Sequence, residues 1–194
     1  MRKFFISLLL IIIAAIHSTA QKKDYLITMN MNSRIEKDIK VIFGINWSVL
    51  NYTIGEINND SLPDIIAVGS SLVDESKYRK IYLFINKGKK RFEIASTNEN
   101  IIQCSDCGGG GVGDPLQAIV IKKNYFSIEQ LYGDCDKVQM TTIFKYDKLR
   151  KWWFLHKDVQ EVYNCKPDAN DEIKTSWLES KKKDYGKLRF EDYK

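Results

Sequence analysis

Residues 116–157 read LQAIVIKKNYFSIEQLYGDCDKVQMTTIFKYDKLRKWWFLHK, and this stretch decides the fold class. β-branched and aromatic residues recur in short runs, which suits a half-buried pleated surface. In Tyr125–Tyr132 the side chains alternate, with Phe126, Ile128 and Tyr132 on one face and Ser127 and Glu129 on the other. That period of two marks a strand with one buried face. Leu116–Lys122, Gln139–Tyr146 and Trp152–Lys157 read as its neighbours, and Lys123-Asn124 as a tight turn between two of them. Short runs joined by turns, without a strand–helix–strand rhythm, predict an antiparallel meander and exclude a doubly wound fold.

Upstream, Val49–Ile57, Ile65–Gly69, Lys80–Asn86 and Arg91–Ser96 read as further strands, and Lys87-Gly88 as another tight turn. The fold expected is therefore mainly β: an antiparallel meander of about eight strands with blade-like hairpins and few or short helices. Val41–Ser48 is apolar enough to join the core. Ser70–Arg79 reads as a polar connection, 161–184 as polar without a clear element, and Lys187–Asp192 as a last edge strand. Residues 21–40 read as an N-terminal arm with one short helix, and 41–194 as a single β-rich domain.

The first twenty residues read as an address. Arg2 and Lys3 precede the apolar run Phe4–Ile16, and Ser18 and Ala20 follow as small residues at −3 and −1. Thirteen apolar residues are too few to cross a bilayer, which takes about 20. The pattern predicts a secretory signal peptide cleaved after Ala20, and a periplasmic or secreted protein. No second long apolar stretch follows, so stable membrane insertion of the remainder is not expected. Loss of Arg2 and Lys3 lowers the formal charge from +5 to +3. Lysines are scattered apart from Lys181–Lys183, so no nucleic-acid partner is expected.

Cys104, Cys107, Cys135 and Cys165 all follow the leader, and an even count in an exported chain suggests disulfides. Sequence does not choose among three connectivities; the short Cys104–Cys107 spacing favours that pair, leaving Cys135 with Cys165. Two other readings of these cysteines stay open. Cys104-x-x-Cys107 has the spacing of a redox centre, although such centres usually open a helix, and four cysteines can hold zinc, although only one C-x-x-C is present. The run GGGGVG at 108–113 matches G-x-G-x-x-G literally, but Asp114-Pro115 follows it instead of a helix, so it reads as a glycine turn.

Catalytic residues are sparse. His17 belongs to the leader and leaves only His156, with no nucleophile elbow beside any serine. An enzyme is not the favoured reading. The segment GEINNDSLPDII at 55–66 carries more chemistry: side-chain oxygens stand at Glu56, Asn58, Asp60 and Asp64, at offsets 1, 3, 5 and 9, and the Leu62 carbonyl adds another. Alternating oxygens in a tight loop can converge on Ca²⁺, which takes six to eight of them. The same residues also suit a surface turn in which Asn and Asp bond their own backbone.

That stretch resembles the FG-GAP/VCBS repeat, the calcium-loop unit of integrin-α-type propeller blades, which reads roughly D-x-N-x-D-G-x-x-D before an apolar strand. The matching positions are Glu56, Asn58, Asp60, Ser61 and Asp64, then Ile65–Val68, and IYLFINKGKKRFEIAS resembles the following hairpin. The unit spans about residues 47–97. Glu56 replaces the first Asp and Ser61 the Gly, so the resemblance implies a degenerate site and weak Ca²⁺. The region 104–155 is also similar to a segment of small exported bacterial proteins of unknown function, through Cys107, Gly108, Gly109, Gly113, Asp114, Pro115, Tyr132, Gly133, Phe144, Tyr146 and Trp153; Asp134 stands where a second Gly is expected. Together the resemblances cover about 47–157. They imply a β-rich exported protein and carry no reaction. A propeller needs about four to eight blades, so one unit implies reuse in a smaller fold or assembly of several chains. The function expected is an exported, non-catalytic binding protein for a protein or surface ligand. The alternatives are a periplasmic inhibitor or immunity-type protein, and a thiol–disulfide enzyme using Cys104 and Cys107.

Overall fold

The computed structural model describes residues 35–74, 76, 79–88, 91–166 and 175–194. The leader and most of the N-terminal arm lie outside them. The chain divides into two units, 1–42 and 43–194. Residues 35–43 are helical, with Ile35 and Ile39 buried at a spacing of four.

The larger unit is mainly β, with two antiparallel sheets. The first has the order β1 (Trp47–Gly55), β2 (Asp64–Ser71), β3 (Arg79–Asn86) and β4 (Phe92–Ile102). The second runs β5 (Leu116–Lys122), β6 (Tyr125–Gly133), β7 (Lys137–Asp147), β8 (Trp152–Tyr163) and β9 (Thr175–Glu179). Each sheet is a meander in sequence order, as short local turns dictate. Lys123 and Asn124 both have positive φ, 33° and 57°, the backbone that a two-residue hairpin between right-twisted strands requires.

The sheets share one core. From the first come Ile66, Val68, Ile81, Leu83 and Ile102; from the second, Ile119, Phe126, Ile128, Phe144, Trp153 and Leu155. The alternation expected in β6 holds for Phe126 and Ile128, and Gln130 continues the buried face, its amide donating to the Ile101 carbonyl at 2.9 Å. β2 is buried on both faces. At one edge the sheets meet where Thr53 Oγ1 donates to the Ile119 carbonyl at 3.2 Å.

Three expectations are corrected. Lys187–Asp192 is not a strand; only a single bridge joins Arg189 to Phe154. Phe190 and Tyr193 are buried three residues apart while Arg189 and Asp192 face solvent, a turn-like spacing that departs from the period of two of a regular strand. Phe190 packs against Phe126 and Phe144 at centroid distances of 5.5 and 5.2 Å, and Asn98 holds the segment by donating to the carbonyls of Phe190 and Tyr193. Within 161–184 an edge strand, β9, does form. All five of its residues are exposed, so no buried face wrote an alternation into the sequence. Val41–Ser48 does not enter the core as a run: Val41 and Ile45 are 80% and 93% exposed, and Phe43 alone is deeply buried, edge-on to Tyr82 at 4.7 Å.

Candidate metal centre

The loop between β1 and β2 is built by its own side chains. Glu56 Oε1 accepts the backbone N–H of Asn58 at 3.0 Å and that of Asn59. Asn58 Oδ1 accepts from Asp60 N at 3.0 Å, and Asp60 Oδ1 from Leu62 N at 2.8 Å. These are successive Asx-type turns. They carry Asn59 and Ser61 into the left-handed region at φ 64° and 70°. Asn tolerates that conformation; Ser at the second position is strained by its Cβ.

Asp64 closes the loop from below. It is fully buried, and its two oxygens accept from the backbone of Ile57 at 3.0 Å and Asn86 at 2.9 Å. One carboxylate thus ties the loop entrance to β2 and to the end of β3. The Ile57 carbonyl accepts from the Trp153 indole at 2.8 Å, and the Glu56 carbonyl from Asn124 N at 3.1 Å, so the second sheet also holds the loop.

This folding brings Glu56, Asp60 and Asp64 together, one carboxylate oxygen of each within 4.8 Å of the others. Oxygens bound to Ca²⁺ at 2.3–2.6 Å lie at most about 5 Å apart across the ion, so three such oxygens can share one centre. Burial, with the adjacent charges of Asp60 and Glu56, pushes the Asp64 carboxyl up to about 6, against the downward pull of its two backbone donors. Asn58 is turned with its amide nitrogen, not its oxygen, towards Asp60 Oδ2 at 2.9 Å. It would have to flip its amide to serve as a ligand. The Leu62 side chain is 37% exposed. An all-oxygen set of three carboxylates fits a hard divalent cation in charge and donor type.

The other residues singled out in the sequence are placed elsewhere. Cys104 pairs with Cys107 and Cys135 with Cys165, each at a Cα separation of 5.2 Å, and no free cysteine remains. The Cys104–Cys107 pair follows β4 in a turn and opens no helix. The glycine run folds back on itself, Gly108 N donating to the Gly113 carbonyl at 2.9 Å, with Gly109 and Gly113 at positive φ. Asp134, where a glycine was expected, accepts from Gly111 N at 2.9 Å, and Asp136 from Cys165 N at 2.9 Å. His156 lies edge-on to Tyr125 at 5.1 Å, and burial together with Lys145 and Lys157 lowers its pKa.

Arg79 was missed by sequence reading, which placed it at the end of a polar connection. It starts β3, is 1% exposed, and makes a bidentate pair with Asp114 at 2.8 and 2.7 Å. The Asp-Pro following the glycine turn was the available signal: it fixes the position of an acid that anchors the two sheets to each other. Comparison of the chain with family models, curated proteins and solved structures gives no match.

Proposed function

We propose that this chain is an exported, non-catalytic binding protein whose β1–β2 loop takes a calcium-type cation weakly. The convergence of Glu56, Asp60 and Asp64 within 4.8 Å carries this reading. The loop opens a four-stranded antiparallel meander, the setting that the FG-GAP/VCBS resemblance leads one to expect. Two paired cysteine sets support an oxidising compartment. Among the described residues no helix is long and apolar enough to cross a membrane.

The extra methylene of Glu56, and the Asn58 amide nitrogen turned towards Asp60, support an affinity at the weak end of extracellular sites, with Kd roughly 10⁻⁴–10⁻³ M. Ca²⁺ at ten times Kd then stabilises the fold by about 1.4 kcal/mol. The test is thermal melting with millimolar Ca²⁺ against excess EDTA, in wild type and in Asp60→Ala. A rise of a few degrees in wild type only is expected. No rise in wild type, or an equal rise in both, would reject the cation site. Export is tested by the intact mass of the chain made in a Gram-negative host: loss of residues 1–20 is expected, and retention of Phe4–Ile16 refutes it.

A further inference from the structure

The solvent face of the second sheet carries a groove of about 480 Å³ over β5, β6, β7 and β8. Register places Val120, Ser127 and Ile143 side by side across three strands, and Lys122, Tyr125 and Lys145 side by side in the next row on the same face. Residues two apart on a strand are separated by about 6.8 Å. One row therefore carries Val120, 43% exposed, and Ile143, and the parallel row carries Lys122 and Lys145 on either side of Tyr125.

The charge of this face is one-sided. Among the described residues no carboxylate lines the groove, whereas Lys122, Lys123 and His156 do. Lys145 sits over the Tyr125 ring at 5.0 Å. The acids that border the region are already engaged: Glu129 accepts the Ser127 hydroxyl at 3.3 Å, Asp147 holds Arg150, and Glu179 holds Lys157 and Lys182. Among the described residues Lys122 and Lys123 have no recorded ion pair. The volume lies in the range of small-ligand sites, which combine an apolar floor with a few convergent polar groups.

We propose that this groove binds a small amphipathic carboxylate, an aromatic acid, with its apolar body along Val120 and Ile143 and its carboxylate between Lys122, which lines the groove, and Lys145, which flanks it over the Tyr125 ring. The volume of the groove bounds the size of the ligand, and the absence of acids among the described lining residues sets its sign. His156 borders the same space and senses the bound charge. The acidic loop meets the groove only at its rim, where the Glu56 carbonyl accepts from Asn124 N, and none of its carboxylates lines the groove, so failure here leaves the cation reading untouched.

The test titrates naphthalene-2-carboxylate and its neutral analogue naphthalene-2-carboxamide into the protein, following the His156 ring resonance, assigned against His17→Gln. The acid is expected to bind with a Kd below 1 mM, at least tenfold more tightly than the amide, and to raise the pH at which His156 titrates. In Lys122→Glu/Lys145→Glu, whose changed residues are exposed and whose melting temperature checks the fold, binding should weaken at least tenfold. Equal binding of acid and amide, binding unchanged in the double variant, or an unmoved His156 would overturn the proposal. So would binding to phosphatidylglycerol vesicles without binding of the free acid, which would make this face a membrane-contact surface.

Discussion

The buried Asp64 carboxylate gives the sharpest test of the loop. Its pKa is raised from 3.8 to about 6, chiefly by burial. A group whose folded pKa lies above its unfolded value contributes stability that is fully present below the unfolded pKa, here about 3.8, and lost as pH rises through the folded one, here about 6. At 1.36 kcal/mol for each pH unit between the two, the contribution is about 3 kcal/mol. Other carboxylates also titrate between pH 4 and 7, so the measurement must be a difference. Asp64→Asn removes the charge but turns an amide N–H towards the backbone donor of Ile57 or Asn86, at a pH-independent cost of about 1–3 kcal/mol. The stability of wild type minus that of Asp64→Asn, from urea unfolding in EDTA, should therefore fall by about 2.5 kcal/mol between pH 4 and pH 7.5, part of the total having gone by pH 4. Saturating Ca²⁺ should restore part of the loss at pH 7.5 and nothing at pH 4.5, where Asp64 is protonated. A difference that stays flat with pH would refute the reasoning. One that rises would show that the two backbone N–H bonds outweigh burial and that the folded pKa is depressed.

Three further outcomes are expected. Ser61→Gly relieves the positive φ of 70° at a small entropic cost and should stabilise the fold by about 0.5–1 kcal/mol, raising Tm by a few degrees in calorimetry. Asp114→Ala should destabilise by about 3 kcal/mol in the same unfolding assay, because it leaves the buried Arg79 guanidinium unpaired. Labelling of unreduced, denatured protein should find no free thiol, and a Cys135→Ser/Cys165→Ser variant should lose about 3–4 kcal/mol through the freed loop between them.

β5 to β7 were legible almost residue by residue, because β6 buries one face and β-branched and aromatic residues record that choice at a period of two, whereas β8 was read to only half its length and β9 not at all. β2 was found but read short, since a strand buried on both faces carries no alternation to mark its ends. The division into two sheets was not legible: the strands of both follow one another in chain order, and nothing local tells whether Ile102 and Leu116 continue one sheet or start another. The C-terminal segment escaped because its information is long-range, in Asn98 and in the stacked Phe126–Phe144 pair against which Phe190 packs edge-on. For the acidic loop the carboxylate set was readable from spacing, whereas the orientation of Asn58 and the two strand contacts of Asp64 were not, since they depend on β3 and on the turn partners.

The hydrogen bonds of the loop explain why its fold and its affinity for a cation are separable. In a site assembled by its ion, backbone donors wait for ligands and the loop forms only when the ion binds. Here the donors of Ile57, Asn58, Asn59, Asp60, Leu62 and Asn86 are all met by side-chain oxygens from within the loop. The loop shape therefore costs no metal, and removal of the metal should not unfold it. A cation must instead use the lone pairs those contacts leave over, since each carboxylate has about four. Its gain is the relief of three like charges held within 4.8 Å, one of them buried. On the reading proposed above, such a site would bind weakly, follow the ionisation of Asp64, and adjust the stability of a loop already in place.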